Sequence, residues 1–476
     1  MKTVQFLSLL FVSFTGISAE IPLSLKPIVQ IEEEVYQYES ADNGAGPMWC
    51  SGSSCLVQIG NQLFASGLET VKSIAPLNNC RWVLYQKMPV GWQKILTDEK
   101  GLTREPCPMV CYPDNTFFLS TNPTLASHGK EGGGPAKPEV LRFSTDKTGQ
   151  GFEIMHPTWK DSPSFTEHSY RSFAADGQCK ELILFQNVGY THAEWAFLDK
   201  FGKWSAQGKL LWPWGADYAK PQPIRVCYPN VALRNKTVHF CGVSDIVEPN
   251  PKWREAKKKI TGRDWDYDFR RLFYTWTPDI SKEEFKGWIE IASREETSGW
   301  ITPGDLWLAP DGSAHIIWTE RAIDERLRAE FYPNAQQSYQ LYYAVVRNGK
   351  VIQKSNLIES GNQGEIPGRA RFHASPDSQL FAIIYISGIN TSGKSISENR
   401  IMKILGPGSM QKVWQKIPFK KPFNDFFTAS ERAGCTPSCP SWPIFATSIL
   451  GLRPSTCSNF FTSLNTRSYS DSCSSF

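Results

Sequence analysis

The run Thr166-Glu167-His168-Ser169-Tyr170-Arg171 puts a carboxylate, an imidazole, a phenol and a guanidinium within five consecutive positions, Glu167 to Arg171. Each group brings its own chemistry. Imidazole exchanges a proton near neutral pH, a phenol donates one or, beside a carboxylate base, becomes a nucleophile, and a guanidinium fork matches a carboxylate with two parallel hydrogen bonds. Glu167, His168 and Tyr170 are therefore candidate catalytic groups, and Arg171 is a candidate substrate contact. The plainer alternative is a hydrogen-bonded start to a strand.

The elements that would position these groups are visible on either side. Asp176-Gly177 reads as a turn and Glu181-Leu-Ile-Leu-Phe-Gln186 as a buried strand, so the titratable run sits where a strand begins. The same signal, a polar turn running into apolar and aromatic residues, recurs at Gly60, Asp114, Asp176, Arg234, Asp311 and Asp377, with steps of 54, 62, 58, 77 and 66 residues. A second hairpin follows each of five copies, as in Arg81-Trp-Val-Leu-Tyr85 to Gly91-Trp-Gln-Lys-Ile95. Two hairpins make a four-stranded blade. The expectation is an all-β propeller spanning residues 20–430, with six recognisable repeats and seven blades favoured over six, closed by the strand Pro27 to Tyr38. Lys252 to Arg263 and Glu320 to Phe331 read as short helices inserted in loops, with their charges facing solvent. Residues 431–476, rich in Ser, Thr and Cys, read as an atypical tail, because Cys435 to Phe476 hold three charged residues and no further hairpin signal.

Composition agrees with that architecture. Among 476 residues, 13% are aromatic, and 35 Gly and 32 Pro accompany them, the mixture expected of many short strands and turns. A formal charge of +4 with no long single-sign block gives no footprint for nucleic acid. Residues 1–19 carry one Lys, a short apolar run and a small-residue end at Ala19, the pattern of an export signal. No later stretch is apolar for long enough to span a bilayer, so a secreted or periplasmic protein is expected. Twelve Cys in such a chain permit disulfides, with Cys50–Cys55 and Cys107–Cys111 as close pairs, although buried thiols are an equal reading. No Cys/His spacing calls for zinc, and neither metal nor cofactor is expected. Asp264, Asp266 and Asp268 alternate and would share a strand face, but the basic helix before them is their expected partner.

The Asp-containing turns Ser144-Thr-Asp146-Lys-Thr-Gly149 and Asp199-Lys-Phe-Gly202-Lys-Trp204, with the repeated hairpins, resemble the sialidase-like propellers known as BNR-repeat proteins. That resemblance implies arginines from several blades clamping a sugar carboxylate, and a tyrosine nucleophile, Tyr170 or Tyr228, activated by Glu167. Arg104, Arg225, Arg369 and Arg371 lie six to ten residues before their marker turns and could converge. Tyr190, His192 and His373 complete the candidate substrate contacts. The first expectation is a sialidase-like glycoside hydrolase acting on an acidic oligo- or polysaccharide. One alternative is a lyase in which His168 and Tyr170 serve as base and acid while arginines neutralise a uronate. The other is a propeller that binds a glycan or a protein without catalysis.

Overall fold

The computed structural model describes residues 25–127, 133–168, 170–404, 413–437, 441–449 and 456–468, so the expected export signal lies outside the described residues. Each of the six marker turns joins the first and second strands of an antiparallel sheet, and in each case two further strands complete a set of four. Local chemistry explains the turns. Asp176 Oδ1 accepts the backbone N–H groups of Gln178 and Cys179, and Asp311 Oδ1 accepts that of Ser313. Gly312 takes φ 80°, a left-handed conformation in which a side chain would be strained.

Seven four-stranded antiparallel sheets are present among the described residues. Their first strands are Leu56–Ile59, Met109–Tyr112, Arg171–Asp176, Val226–Arg234, Trp300–Leu308, Glu365–Ala374 and Asp425–Thr428, and they lie against one another in chain order. Hydrogen bonds stitch neighbours together: Met109 N to Ser54 O at 2.7 Å, Ser172 Oγ to Pro229 O at 2.9 Å, and Phe372 N to Asp305 Oδ2 at 3.0 Å. Ser54 Oγ also reaches Thr428 O at 3.4 Å, which links the seventh sheet to the first. Apolar side chains fill the gaps between sheets. Phe64 and Phe117 stack at 4.6 Å between the first and second sheets, and truncating such a ring to Ala costs about 3–5 kcal/mol.

Two expectations are corrected here. The segment after residue 430, read as a tail, supplies the strands Ser441–Ile449 and Thr456–Ser468, which lie between Asp425–Thr428 and the N-terminal strand Leu25–Glu39. Its Ser and Thr residues carry no charge to oppose strand pairing, and the partner strand is some 430 residues away in sequence, where no local pattern can announce it. The close pair Cys107–Cys111 is likewise not formed. Cys111 Sγ lies 3.7 Å from Cys435 Sγ, whereas Cys50 and Cys55 do approach each other, at 3.3 Å.

The first insertion folds as the helix Pro251–Thr261, capped by the Asn250 side chain on the N–H groups of Lys252 and Trp253 and closed by Gly262. It is not simply a solvated surface. Lys257 is buried, with Nζ 2.7 Å from Glu248 Oε2, and Glu248 is held from the other side by Arg270 at 2.8 and 2.9 Å. The second insertion is shorter than expected, with Glu320 still in a strand and helical turns only at Glu325–Leu327 and Arg328–Phe331. No described helix is long and apolar enough to cross a membrane.

Candidate functional site

Three first strands are bulged at the same end, with register slips between Cys227 and Asn230, Pro303 and Asp305, and Pro367 and Ala370. A bulge re-aims the side chains it contains. Tyr228 sits in the first of these slips with φ 50°, a left-handed conformation that costs a non-glycine residue about 1–2 kcal/mol. The result is that its phenol faces a cavity of about 610 Å³ at that end of the strands.

His168, Tyr170, Tyr190, Arg104, Arg225 and Tyr228 all line this cavity. His168 Nδ1 is 2.7 Å from Glu105 Oε1. The tautomer that donates from Nδ1 to the carboxylate leaves Nε2 as the basic nitrogen. The imidazole stands 5.1 Å from the Tyr170 ring, and the Tyr170 and Tyr228 hydroxyls are 3.2 Å apart. Burial, with the nearby Cys227 and Asp245, drives the Tyr170 phenol far above its ordinary range, and burial raises Tyr228 as well. Both tyrosines are therefore neutral proton donors across the physiological range. Tyr190 closes one side, its hydroxyl 3.0 Å from that of Tyr267, which burial and Tyr190 push up to about 12.

Arg225 donates from Nε to Asp245 O at 2.8 Å and pairs through Nη2 with Asp245 Oδ2 at 3.0 Å, while its guanidinium lies 4.0 Å from the centre of the Tyr190 ring. Arg104 donates to Asn43 O at 3.0 Å and pairs with Glu167 at 3.5 Å. The adjacent pair Arg104-Glu105 thus clasps the adjacent pair Glu167-His168, residue against residue. Four arginines, Arg104, Arg225, Arg263 and Arg326, line the cavity with two aspartates, Asp245 and Asp266, while Arg104 and Arg326 are also paired with Glu167 and Asp324 behind the wall. The lining itself carries more guanidinium than carboxylate, which suits an anionic ligand. A second cavity of about 600 Å³ shares the wall formed by Trp49, Tyr228 and Phe269 and contains the Arg369–Asp425 pair, at 2.8 Å.

Several candidates do other work. Glu167 does not line the cavity; its carboxylate accepts the Gly134 N–H at 2.8 Å besides facing Arg104. Arg171 is buried and donates to the Pro106 and Ser120 carbonyls. Arg371 is 2% exposed and gives its N–H groups to Phe426 O, Gly304 O and Ser51 O, and burial lowers its pKa to about 10. His373 is buried further along the same strand, beside Glu431 and Arg432 at the opposite end. His192 hydrogen-bonds Thr191 and Glu194 and is not among the cavity-lining residues. Arg369 belongs to the second cavity.

The cavity also contains groups that sequence reasoning passed over. Trp49 lies 6.3 Å from His168 and 6.1 Å from Tyr228. Between the alternating aspartates stand Trp265 and Tyr267, which line the cavity, while Asp264 pairs with Lys258, Asp266 with Arg326 and Asp268 with Arg270. The alternation was the available signal, and the aromatic positions were the informative ones. Among the described residues no group of three or more His, Cys, Asp or Glu is placed to hold a metal ion.

No family model matches the chain, and no curated protein matches its sequence. Solved structures similar to it include a protein of unknown function from Dyadobacter fermentans, 9% identical, with a TM-score of 0.45 over 94% of this chain and all of that one. An α-L-arabinanase from Penicillium chrysogenum complexed with arabinobiose is 11% identical, with a TM-score of 0.43 over 92% of this chain and 98% of its own. The polysaccharide lyase Uly1 is 11% identical, with a TM-score of 0.48 over 87% of this chain and 90% of its own. Likenesses this distant carry no argument about activity, which rests on the cavity's own residues.

Proposed function

We propose that the chain is an exported seven-bladed propeller that cleaves an acidic polysaccharide by β-elimination at a uronate. The observation that carries this reading is a basic imidazole nitrogen, oriented by Glu105, opposite a pair of neutral phenols in a cavity with surplus arginines. In the proposed reaction a uronate carboxylate sits against Arg225, with Arg104 nearby. Neutralising it lowers the cost of the carbanion formed when His168 Nε2 removes the proton on the adjacent ring carbon. The electron pair then forms a carbon–carbon double bond as the glycosidic C–O bond breaks, and the departing oxygen takes a proton from Tyr170, which Tyr228 supports through their hydroxyl contact. The products are one unsaturated and one ordinary chain end, and no water is consumed.

A sialidase-like tyrosine nucleophile finds less support. It requires a base to ionise the phenol, yet the Glu167 carboxylate is engaged by Gly134 and Arg104, and burial opposes ionisation of both tyrosines. The seven-bladed reading is supported by the chain-order packing of seven first strands and the Ser54–Thr428 contact, and export by the composition of residues 1–19.

The test is incubation of the purified protein with a panel of uronate-containing polysaccharides and sialosides, read by ultraviolet absorbance of the unsaturated end and by reducing ends. Absorbance that grows with chain cleavage, and is lost in His168→Ala while binding persists, is the expected result. Reducing ends without absorbance would replace the lyase with a hydrolase. Binding without any cleavage would leave a glycan-binding propeller.

A further inference from the structure

The segment Ser430–Cys435 leaves the seventh sheet and crosses the end of the first strands opposite the cavity. It contacts five other sheets on the way. Arg432 donates to Asp305 Oδ1 at 2.6 and 3.0 Å, to Gly52 O at 2.9 Å and to Asn230 Oδ1 at 3.3 Å. Its carbonyl accepts the Ala175 N–H at 2.9 Å, and the Ala433 carbonyl accepts the Cys111 N–H at 2.8 Å. Gly434, at φ 78°, presses so closely on this strand that a Cβ would come within 2.0 Å of Cys111 O. The next residue brings its sulfur to 3.4 Å from Gln58 N and 3.7 Å from Cys111 Sγ.

We propose that Cys111 and Cys435 form a disulfide that staples this strap across the closed end of the ring. The backbone contacts on both sides of the sulfurs fix their register, and only Gly fits at position 434 where the strap passes over the strand. In the structure both are thiols, and closing the 3.7 Å separation to a bond of about 2.05 Å shortens it by less than 2 Å. Both residues are at least nine-tenths buried, and 324 residues separate them, so the bond removes a very long loop from the unfolded ensemble. The chemistry balances through oxidised glutathione. One thiolate attacks its disulfide and releases one glutathione thiolate. The second cysteine then attacks the mixed disulfide and releases another, so the pair loses two electrons and two protons while the oxidant gains the electrons. Burial raises the Cys111 thiol well above its ordinary range, so exchange belongs to the folding chain rather than to the finished molecule.

The test uses the full chain refolded in reduced and oxidised glutathione, blocked with N-ethylmaleimide without reduction, digested and mapped by mass spectrometry. The expected map contains a Cys111 peptide joined to a Cys435 peptide. Maleimide on both cysteines, or Cys111 joined to Cys107, overturns the proposal. The Cys435→Ser variant isolates this bond from any between Cys50 and Cys55. Its melting midpoint should lie roughly 5–10 °C below that of the oxidised wild type and match it once both are reduced. Equal midpoints before reduction overturn the stapling role, and the wild-type map answers even where the variant fails to fold.

Discussion

The two ends of the first strands use the same side chain in opposite ways. At the closed end Arg432, 9% exposed, gives its donors to Asp305, Asn230 and the carbonyl of Gly52, and Arg371, deeper in, gives its donors to the carbonyls of Gly304 and Phe426 in two sheets and of Ser51 in the loop before the first. At the open end Arg225 and Arg104 each spend one N–H on a carbonyl, pair once with a carboxylate, and face a cavity. Burial alone does not separate them, since Arg225 is 7% exposed. What separates them is how many donors the fold has already consumed. An arginine whose donors are all engaged by protein oxygens ties segments of the fold together, and one with donors in reserve can take a ligand.

The sharpest way to break this contrast is His168→Ala. Turnover of the responsive polyuronate should fall by about 10³–10⁴-fold with the melting midpoint nearly unchanged, measured by initial rates and calorimetry. Equal loss of stability would make the open end as structural as the closed one. Arg432→Met should do the reverse. It leaves the Asp305 carboxylate buried without its partner and should cost about 3–5 kcal/mol in denaturant unfolding, while activity per folded molecule persists.

A third measurement concerns acid. Burial holds His239 and His315 at about 3 and about 4, below the ordinary value of about 6.5. The unfolded chain therefore binds protons that the folded chain refuses. Stability contributed by these neutral imidazoles is intact above pH of about 6.5 and is lost as pH falls from there towards 3 to 4, by about 1.4 kcal/mol per pH unit for each. Replacing both with Gln should flatten that part of the denaturation profile. Tyr170→Phe should slow turnover by about 10²-fold with binding retained, since it removes the acid and keeps the ring. The smallest effect belongs to Arg263, which is exposed on the rim with no carboxylate partner among the described residues. Arg263→Ala should raise KM about 2–5-fold at low salt and much less at high salt.

The six marker hairpins were legible because turn chemistry and alternation are local. The N-terminal strand was legible too, but its partner was not, because Leu25–Glu39 finds Thr456–Ser468 only through tertiary packing. Of the cluster from Glu167 to Arg171, His168 and Tyr170 line the cavity. Glu167 and Arg171 do not, because their partners, Arg104 and the Pro106 and Ser120 carbonyls, lie about fifty to sixty-five residues earlier. Arg371 and His373 were misread for a related reason: carbonyls, which saturate the first, leave no mark in a sequence, and distance along a strand decides which end the second serves.

The crossed dipeptides Arg104-Glu105 and Glu167-His168 bind the proposed base and a cavity-lining guanidinium into one mechanical unit. A substitution that displaces either loop moves both side chains together, so in the proposed reaction changes at Glu105 and Glu167 should be non-additive in rate although only His168 is assigned the proton transfer. Variation at this corner is then constrained to whole pairs, and a change at one position would need compensation in the facing loop to restore the same geometry.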